Sequence, residues 1–283
     1  MRIARTTAIA AAAALLAGVL GAAPASASGD QLRVHLLTGD GVLSTRTWSS
    51  PLFAQHRVRV TGLAKHDRLA GIDVRPATGV LYAIGRSGQL YTVDTRTGRA
   101  TAVGTPLALT GTAIGFDFNP TVDRIRLVTS TGQNLRLVPD TGALAATDGP
   151  LAYAPGDRAA GTTPRVSGAG YTNSVAGATS TTLYDLDSAK DTLVTQGTAV
   201  GVTPVVSPNT GQLFTVGKLG VDVDKTNGFD IATVNGRHHA LAAVSPALNL
   251  LGGSILVKIN LETGRASVVG LAGGDVVGVA FAK

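Results

Sequence analysis

The sequence predicts an all-β fold, a β-propeller whose simplest count is five four-stranded blades, or six if residues 202–223 form a sheet of their own. Three observations predict it. One pattern is written twice: Gly71-Ile-Asp-Val-Arg-Pro-Ala-Thr-Gly-Val-Leu-Tyr-Ala with Gly88-Gln-Leu-Tyr-Thr-Val-Asp-Thr-Arg-Thr-Gly returns 44 residues later as Gly115-Phe-Asp-Phe-Asn-Pro-Thr-Val-Asp-Arg-Ile-Arg-Leu with Gly132-Gln-Asn-Leu-Arg-Leu-Val-Pro-Asp-Thr-Gly. A period of about 40 to 50 residues with four short apolar alternations per unit is that of a propeller blade. The chain of 283 residues also holds 36 glycines and 12 prolines against 15% charged residues, as many turns between short strands require. Finally, the Gly-apolar-X-apolar segment that opens each unit is missing at the start and reappears at the end as Gly278-Val-Ala-Phe281. That segment is expected to complete the first blade and pair the N- and C-terminal strands, leaving no open edge.

Taken in order, residues 1–27 read as a signal peptide: Arg2 and Arg5 precede an apolar run from Ala8 to Leu20, and Ala25-Ser-Ala27 supplies the small residues of a cleavage site. The run is too short to cross a bilayer. The expectation is a secreted, extracellular protein with a single propeller domain over 28–283 and no membrane span. Residues 32–37 and 42–48, joined by Thr38-Gly-Asp-Gly41, and residues 57–60 read as strands of the first blade. The second takes 72–74, 80–84, 89–93 and 100–103, with turn residues between them, and 115–149 repeats the scheme. Residues 153–163 form an irregular loop. A degenerate unit follows with strands at 166–171, 174–178, 183–186 and 192–195, its outer portion continuing through 202–206 and 213–216. The last unit takes 228–231, 239–244, 255–259 and 266–269. Beyond the signal the apolar period is two, so helix is expected at most as one short turn in 245–251.

Composition excludes several classes. With no cysteine in the chain, disulfides, thiolate metal sites and a lipid-modified cysteine are ruled out. The formal charge of +6 falls by two when Arg2 and Arg5 leave, the other arginines are scattered, and aromatics make up only 4%. Neither a basic block nor a base-stacking surface is present, so nucleic acid is not an expected partner. No Gly-x-Ser-x-Gly elbow, phosphate-binding loop or His-Glu-x-x-His occurs either.

The segments Gly115-Phe-Asp-Phe-Asn-Pro-Thr-Val-Asp-Arg-Ile-Arg, Gly132-Gln-Asn-Leu-Arg-Leu and Pro139-Asp-Thr-Gly resemble the signature of a bacterial family known as domain of unknown function 4394. Leu69-Ala-Gly-Ile-Asp, Gly88-Gln-Leu-Tyr, Gly170-Tyr-Thr-Asn-Ser174, Leu183-Tyr-Asp-Leu-Asp187 and Gly228-Phe-Asp-Ile231 agree with it, over nearly all of the chain after residue 27. The resemblance implies a propeller-like fold and an exported setting. It carries no established activity and transfers no catalytic residue. Val138 departs from it, standing where the family often has Asn.

Two constellations are candidates for binding. Asp73, Asp117 and Asp230 occupy one position of the Gly-apolar-Asp-apolar segments, and if those are innermost strands the carboxylates approach a common axis. Together they would suit a cation such as Ca²⁺, which takes six to eight oxygens, although no specific motif supports one and no other cofactor is expected. The competing role is structural, an Asp beside Gly accepting backbone N–H groups from the adjacent blade. Ala280 in the last segment already breaks the ring. The second set is Asn119, Asp123, Arg124, Arg126, Asn134 and Arg136. Arg124 and Arg126 share a strand face, and three guanidiniums with two amides suit a carboxylate, sulfate or phosphate. Its competitor is an inter-blade network in which Asp117 and Asp123 neutralise the arginines.

Asp94-Thr-Arg-Thr-Gly98, Asp140-Thr-Gly142 and Glu262-Thr-Gly264 read as turns. His238 and His239 point to opposite faces of a strand, which is poor geometry for one metal, and His35, His56 and His66 have no ligand spacing. The expected function is a monomeric binding or interaction module of the extracellular or cell-wall space, with its ligand at a channel mouth or on the 153–163 loop. Its partner would be a cell-envelope polymer or another exported protein. The alternative is a hydrolase or lyase acting on carbohydrate or another acidic polymer; a surface or matrix protein with no small ligand is a third.

Overall fold

The computed structural model describes residues 32–111, 114–246 and 252–282, apart from the side chains of 224–227. The signal-peptide reading of 1–27 lies outside the described residues, as do 247–251 of the expected short turn. Of that turn's remainder, Ser245 and Pro246 are strand.

Five sheets are strung along the chain. Strands β1 (Arg33–Thr38), β2 (Val42–Thr47) and β3 (His56–Arg59) make up the outer part of the first blade. The second blade is β4 (Leu69–Val74), β5 (Leu81–Gly85), β6 (Leu90–Val93) and β7 (Ala100–Val103). The third is β8 (Ile114–Asn119), β9 (Arg124–Thr129), β10 (Asn134–Leu137) and β11 (Leu144–Thr147). A two-residue strand β12 (Ala152–Tyr153) then lies parallel on the outer edge of the fourth blade. That blade is β13 (Val166–Tyr171), β14 (Leu183–Asp187), β15 (Thr192–Gln196) and β16 (Gln212–Lys218). The fifth is β17 (Val223–Val234), β18 (Arg237–Pro246), β19 (Ile255–Ile259) and β20 (Ala266–Leu271). Apart from β12, neighbouring strands within each blade are antiparallel, and in the second to fifth blades the first of the four is innermost.

The last strand, β21 (Val276–Ala282), is the inner strand of the first blade. It pairs antiparallel with β1, Val34 opposite Phe281 and Leu37 opposite Gly278. The ring is thereby closed by the two ends of the chain, as the displaced Gly-apolar-X-apolar segment predicts.

Two expected strands do not form. Residues 174–178 are a turn, with Asn173 and Gly177 at positive φ. Residues 202–206 are loop, interrupted by Pro204, with Val202 and Val205 47% and 83% exposed; their β-branched pattern has no sheet to pack against. The strand β16 pairs instead with β15, Phe214 opposite Thr195. No sixth sheet forms among the described residues.

Packing follows from the ring. Central strands of a blade are covered on both faces, so consecutive residues such as Leu36 and Leu37 are both buried. Leu36 packs towards Leu241 and Leu256 of the fifth blade, whereas Leu37 packs towards Leu69 and Leu81 of the second. Five such apolar layers fill the five gaps between blades. Inner strands approach each other closely enough to demand glycine. A Cβ on Gly278 would stand 2.7 Å from Ile72 Cγ1, and one on Gly115 2.9 Å from Ala169 N, so any side chain there would overpack the hub.

Candidate functional site

The inner strands β4, β8 and β17 each carry Gly-apolar-Asp-apolar, and each Asp reaches the inner strand of the next blade. Asp73 Oδ2 accepts the Phe118 N–H at 2.7 Å, Asp117 Oδ1 the Tyr171 N–H at 3.1 Å, and Asp230 Oδ2 the Phe281 N–H at 2.5 Å. Asp73 and Asp230 also accept the N–H of the following residue, Val74 and Ile231. The residue before each inter-blade donor is the next position of the ring. Those positions are Asp117, Gly170 and Ala280. Three of the five inward positions are therefore carboxylates, and the fourth and first blades offer Gly170 and Ala280.

The three carboxylates meet on the axis. Each offers an oxygen, and these oxygens all lie within 4.8 Å of one another. Asp73, Asp117 and Asp230 are only 5%, 1% and 3% exposed, yet Asp117 Oδ2 has no hydrogen-bond partner. Bringing three acids together in a dry hub raises their pKa values. Burial, with repulsion from Asp230, pushes Asp73 well above the usual carboxylate range, and burial, with repulsion from Asp73 and Asp230, does the same to Asp117. Asp230 is pushed up to about 6 by burial, held back by the Phe281 and Ile231 N–H groups and by the carboxyl of Asp117.

Two of the three, Asp73 and Asp230, line a mouth at the end of the channel where the inner strands finish. This cavity, about 290 Å³, is lined by Asp73, Asp230, Arg75, Ser174, Ala232 and Phe281, among others. Arg75 is locked in its wall: Nε and Nη2 donate to Asp123 at 2.9 and 2.5 Å, and Nη1 to Asp140 at 2.5 Å. These bonds, despite burial, raise the guanidinium pKa further. Below the carboxylates the channel is pinched between Gly71, Gly115, Gly168, Gly228 and Gly278, so the mouth is the way in.

The six residues of the second set do not converge on one open site. Asn119 caps its own turn, accepting the Thr121 N–H and hydroxyl. Asp123 holds Arg75, and Arg124 Nη1 donates to the Val122 and Asp123 carbonyls. Arg126, Asn134 and Arg136 do come together, around an aspartate the sequence reading missed. Arg126, 1% exposed, donates to Asp148 Oδ2 and Asn134 Oδ1 at 2.6 Å and to Asn209 Oδ1 at 2.7 Å. Arg136 donates to both oxygens of Asp148 at 2.8 and 2.9 Å. Burial opposes ionisation of Asp148, but the bonds from Arg136 and Arg126 hold its pKa below the usual value. The guanidiniums of Arg126 and Arg136 are spent internally, on Asp148 rather than on Asp117 or Asp123.

The histidines serve the scaffold. His35 is buried, bonded to the Thr45 hydroxyl, and lowered to about 4 by burial and the Arg33 charge. His238 bonds the Thr233 hydroxyl, while His239 lies against Trp48 with ring centroids 5.0 Å apart. A second acid missed in sequence is Asp185, fully buried in β14 with neither oxygen partnered and pushed up to about 8 by burial and the nearby Asp187, against the pull of Arg126.

Comparison with known proteins agrees with this architecture. The family described as "Domain of unknown function (DUF4394)" matches residues 42–280. Among solved structures, a protein of unknown function from Bacteroides thetaiotaomicron is 14% identical with a TM-score of 0.50, the match covering 74% of this chain and 53% of that one. BamB from Moraxella catarrhalis is 16% identical with a TM-score of 0.34, covering 82% of this chain and 68% of that one. The chain thus spans about half the length of the first of these, and that first likeness is one of fold alone. No curated protein matches the chain.

Proposed function

Since the chain belongs to the DUF4394 family, whose description assigns no activity, we propose from the site itself that it is a binding module built around an axial cation, with Ca²⁺ the reference ion. The observation that carries this is the meeting of Asp73, Asp117 and Asp230 within 4.8 Å, with Asp117 Oδ2 unpartnered. Oxygens on opposite sides of a Ca²⁺ at about 2.4 Å stand about 4.8 Å apart. A cation at their centre reaches all three and offsets the burial, and for Asp73 and Asp117 the repulsion, that raises their pKa values. Its remaining positions face the mouth, where a ligand rich in oxygen donors completes the shell. Gly170 and Ala280 leave two sides of the hub free of side-chain donors.

The setting we propose is the extracellular or cell-wall space, supported by the signal-like sequence of residues 1–27. Calorimetric titration of Ca²⁺ into chelator-treated protein tests the cation. Heat of binding in the native chain, and none in Asp117→Asn, is the expected result; no heat in either overturns it. A second reading, a hydrolase or lyase on carbohydrate or another acidic polymer, is favoured by one observation: two carboxyls with raised pKa, Asp73 and Asp230, line the same mouth. Release of reducing or unsaturated ends from a polysaccharide, lost in Asp230→Asn, would decide for that reading.

A further inference from the structure

Beside the axial mouth, on the same face, runs a second cavity of about 440 Å³ that shares Val74, Gly79 and Ala282 with it. The two form one continuous depression from the axis outwards between the first and second blades. The outer part is lined by Arg33 at the start of β1, Gln55 and His56 at the start of β3, and Thr95 and Arg96 in the β6–β7 turn. No carboxylate lines it. Arg33, His56 and Arg96 are exposed. A bond of 3.1 Å between His56 Nε2 and the Arg96 carbonyl ties the two walls together.

Arg75, Arg126 and Arg136 are all neutralised by aspartates, whereas Arg33 and Arg96 stand in no salt bridge among the described residues. The acid nearest to Arg96 in sequence is Asp94, and its Oδ1 is turned back onto the Arg96 and Thr97 N–H groups. Two arginines from neighbouring blades line this cavity with amide and hydroxyl groups beside them, a lining whose chemistry suits an anion such as a carboxylate.

We infer that the depression is the binding site of an acidic polysaccharide, with sugar hydroxyls at the axial mouth and uronate carboxylates on Arg33 and Arg96. One polymer presents both chemistries. Neutral hydroxyls complete the shell of a cation already surrounded by carboxylates, and acid groups meet the unspent guanidiniums. The hydroxyl half rests on the cation reading of the mouth; the anionic half stands on the groove alone.

The test measures binding of a short oligogalacturonate, an uncharged oligodextran and inorganic polyphosphate to the chelator-treated chain, with and without added Ca²⁺. The variants are Arg33→Gln/Arg96→Gln and Asp117→Asn. Both arginines are at the surface, so the double variant is expected to melt as the native chain does. The expected result is salt-sensitive binding of oligogalacturonate in preference to both controls, weakened at least tenfold in the double variant. Added Ca²⁺ strengthens binding to the native chain and has no effect on Asp117→Asn. Unchanged affinity in the double variant overturns the groove assignment. Equal or stronger binding of polyphosphate overturns the sugar. If Ca²⁺ has no effect while the arginine dependence persists, the cation reading falls and the groove stands.

Discussion

The Asp73 carboxylate of the second blade accepts the Phe118 N–H of the third at 2.7 Å, and the same bond is made by Asp117 and Asp230 to the blades after them. One side chain thus has two employments. One oxygen stitches neighbouring blades together, and the gathering of three such side chains on the axis makes the candidate site. The stitching alone would be served by any acceptor; the repulsion it brings is tolerated because protons, or a cation, neutralise it.

Removing the stitch isolates its structural share. Asp73→Ala leaves the buried Phe118 N–H without an acceptor, which costs about 1–3 kcal/mol. Denaturant unfolding should show that loss. Asp73→Asn, which keeps an acceptor oxygen and lowers the axial charge, should lose less, or gain stability in chelator.

The pH dependence has a definite sign. Burial raises Asp230 from 3.8 to about 6, and burial with repulsion from neighbouring carboxylates raises Asp73 and Asp117 well above the usual range. Raised carboxyl pKa values mean that the folded state binds protons more readily than the unfolded one. This contribution to stability is complete below about 3.8 and is lost as pH rises through 6 and beyond. Added Ca²⁺ should therefore raise the melting temperature clearly at pH 7.5 and hardly at pH 4.5. A Ca²⁺ shift that is equal at both values would contradict proton–cation competition at the axis.

Arg126 is the structural counterpart. Arg126→Ala leaves Asp148 with Arg136 alone and takes the donor from Asn209 Oδ1, and is expected to cost about 1–3 kcal/mol. The readout is the unfolding midpoint, with Ca²⁺ binding per folded molecule unchanged. Loss of Ca²⁺ binding in a chain that still folds would join this network to the site.

Much of the fold is legible in the sequence because it is periodic. The 44-residue offset from Gly71 to Gly115 marks two blades, and Gly278 to Phe281 reads as an inner strand in want of a blade, which β1 supplies. The errors fall where local pattern and tertiary setting part. Val202 and Val205 have strand-forming side chains but stay in solvent, since the outer position of their blade belongs to Gln212–Lys218. Asp148 lies in a Thr-Asp-Gly-Pro run that reads as a turn, so nothing local discloses its two arginines. Of the ring, Asp73, Asp117 and Asp230 share a motif that puts them on one axis; Gly170 occupies its empty position within Gly-Ala-Gly-Tyr, where sequence does not say which glycine faces inwards. Asp185 carries no signal beyond its place in Leu-Tyr-Asp-Leu-Asp.

The central claim, a cation held on the propeller axis by three blades, is tested most directly by crystals grown in Tb³⁺, a stand-in for Ca²⁺ with strong anomalous scattering. The account predicts one dominant anomalous peak within coordination distance of Asp73, Asp117 and Asp230 together, and its disappearance in Asp117→Asn. Native crystals with no peak on the axis, and with ions only at surface carboxylates such as Asp40 or Asp94, would contradict it.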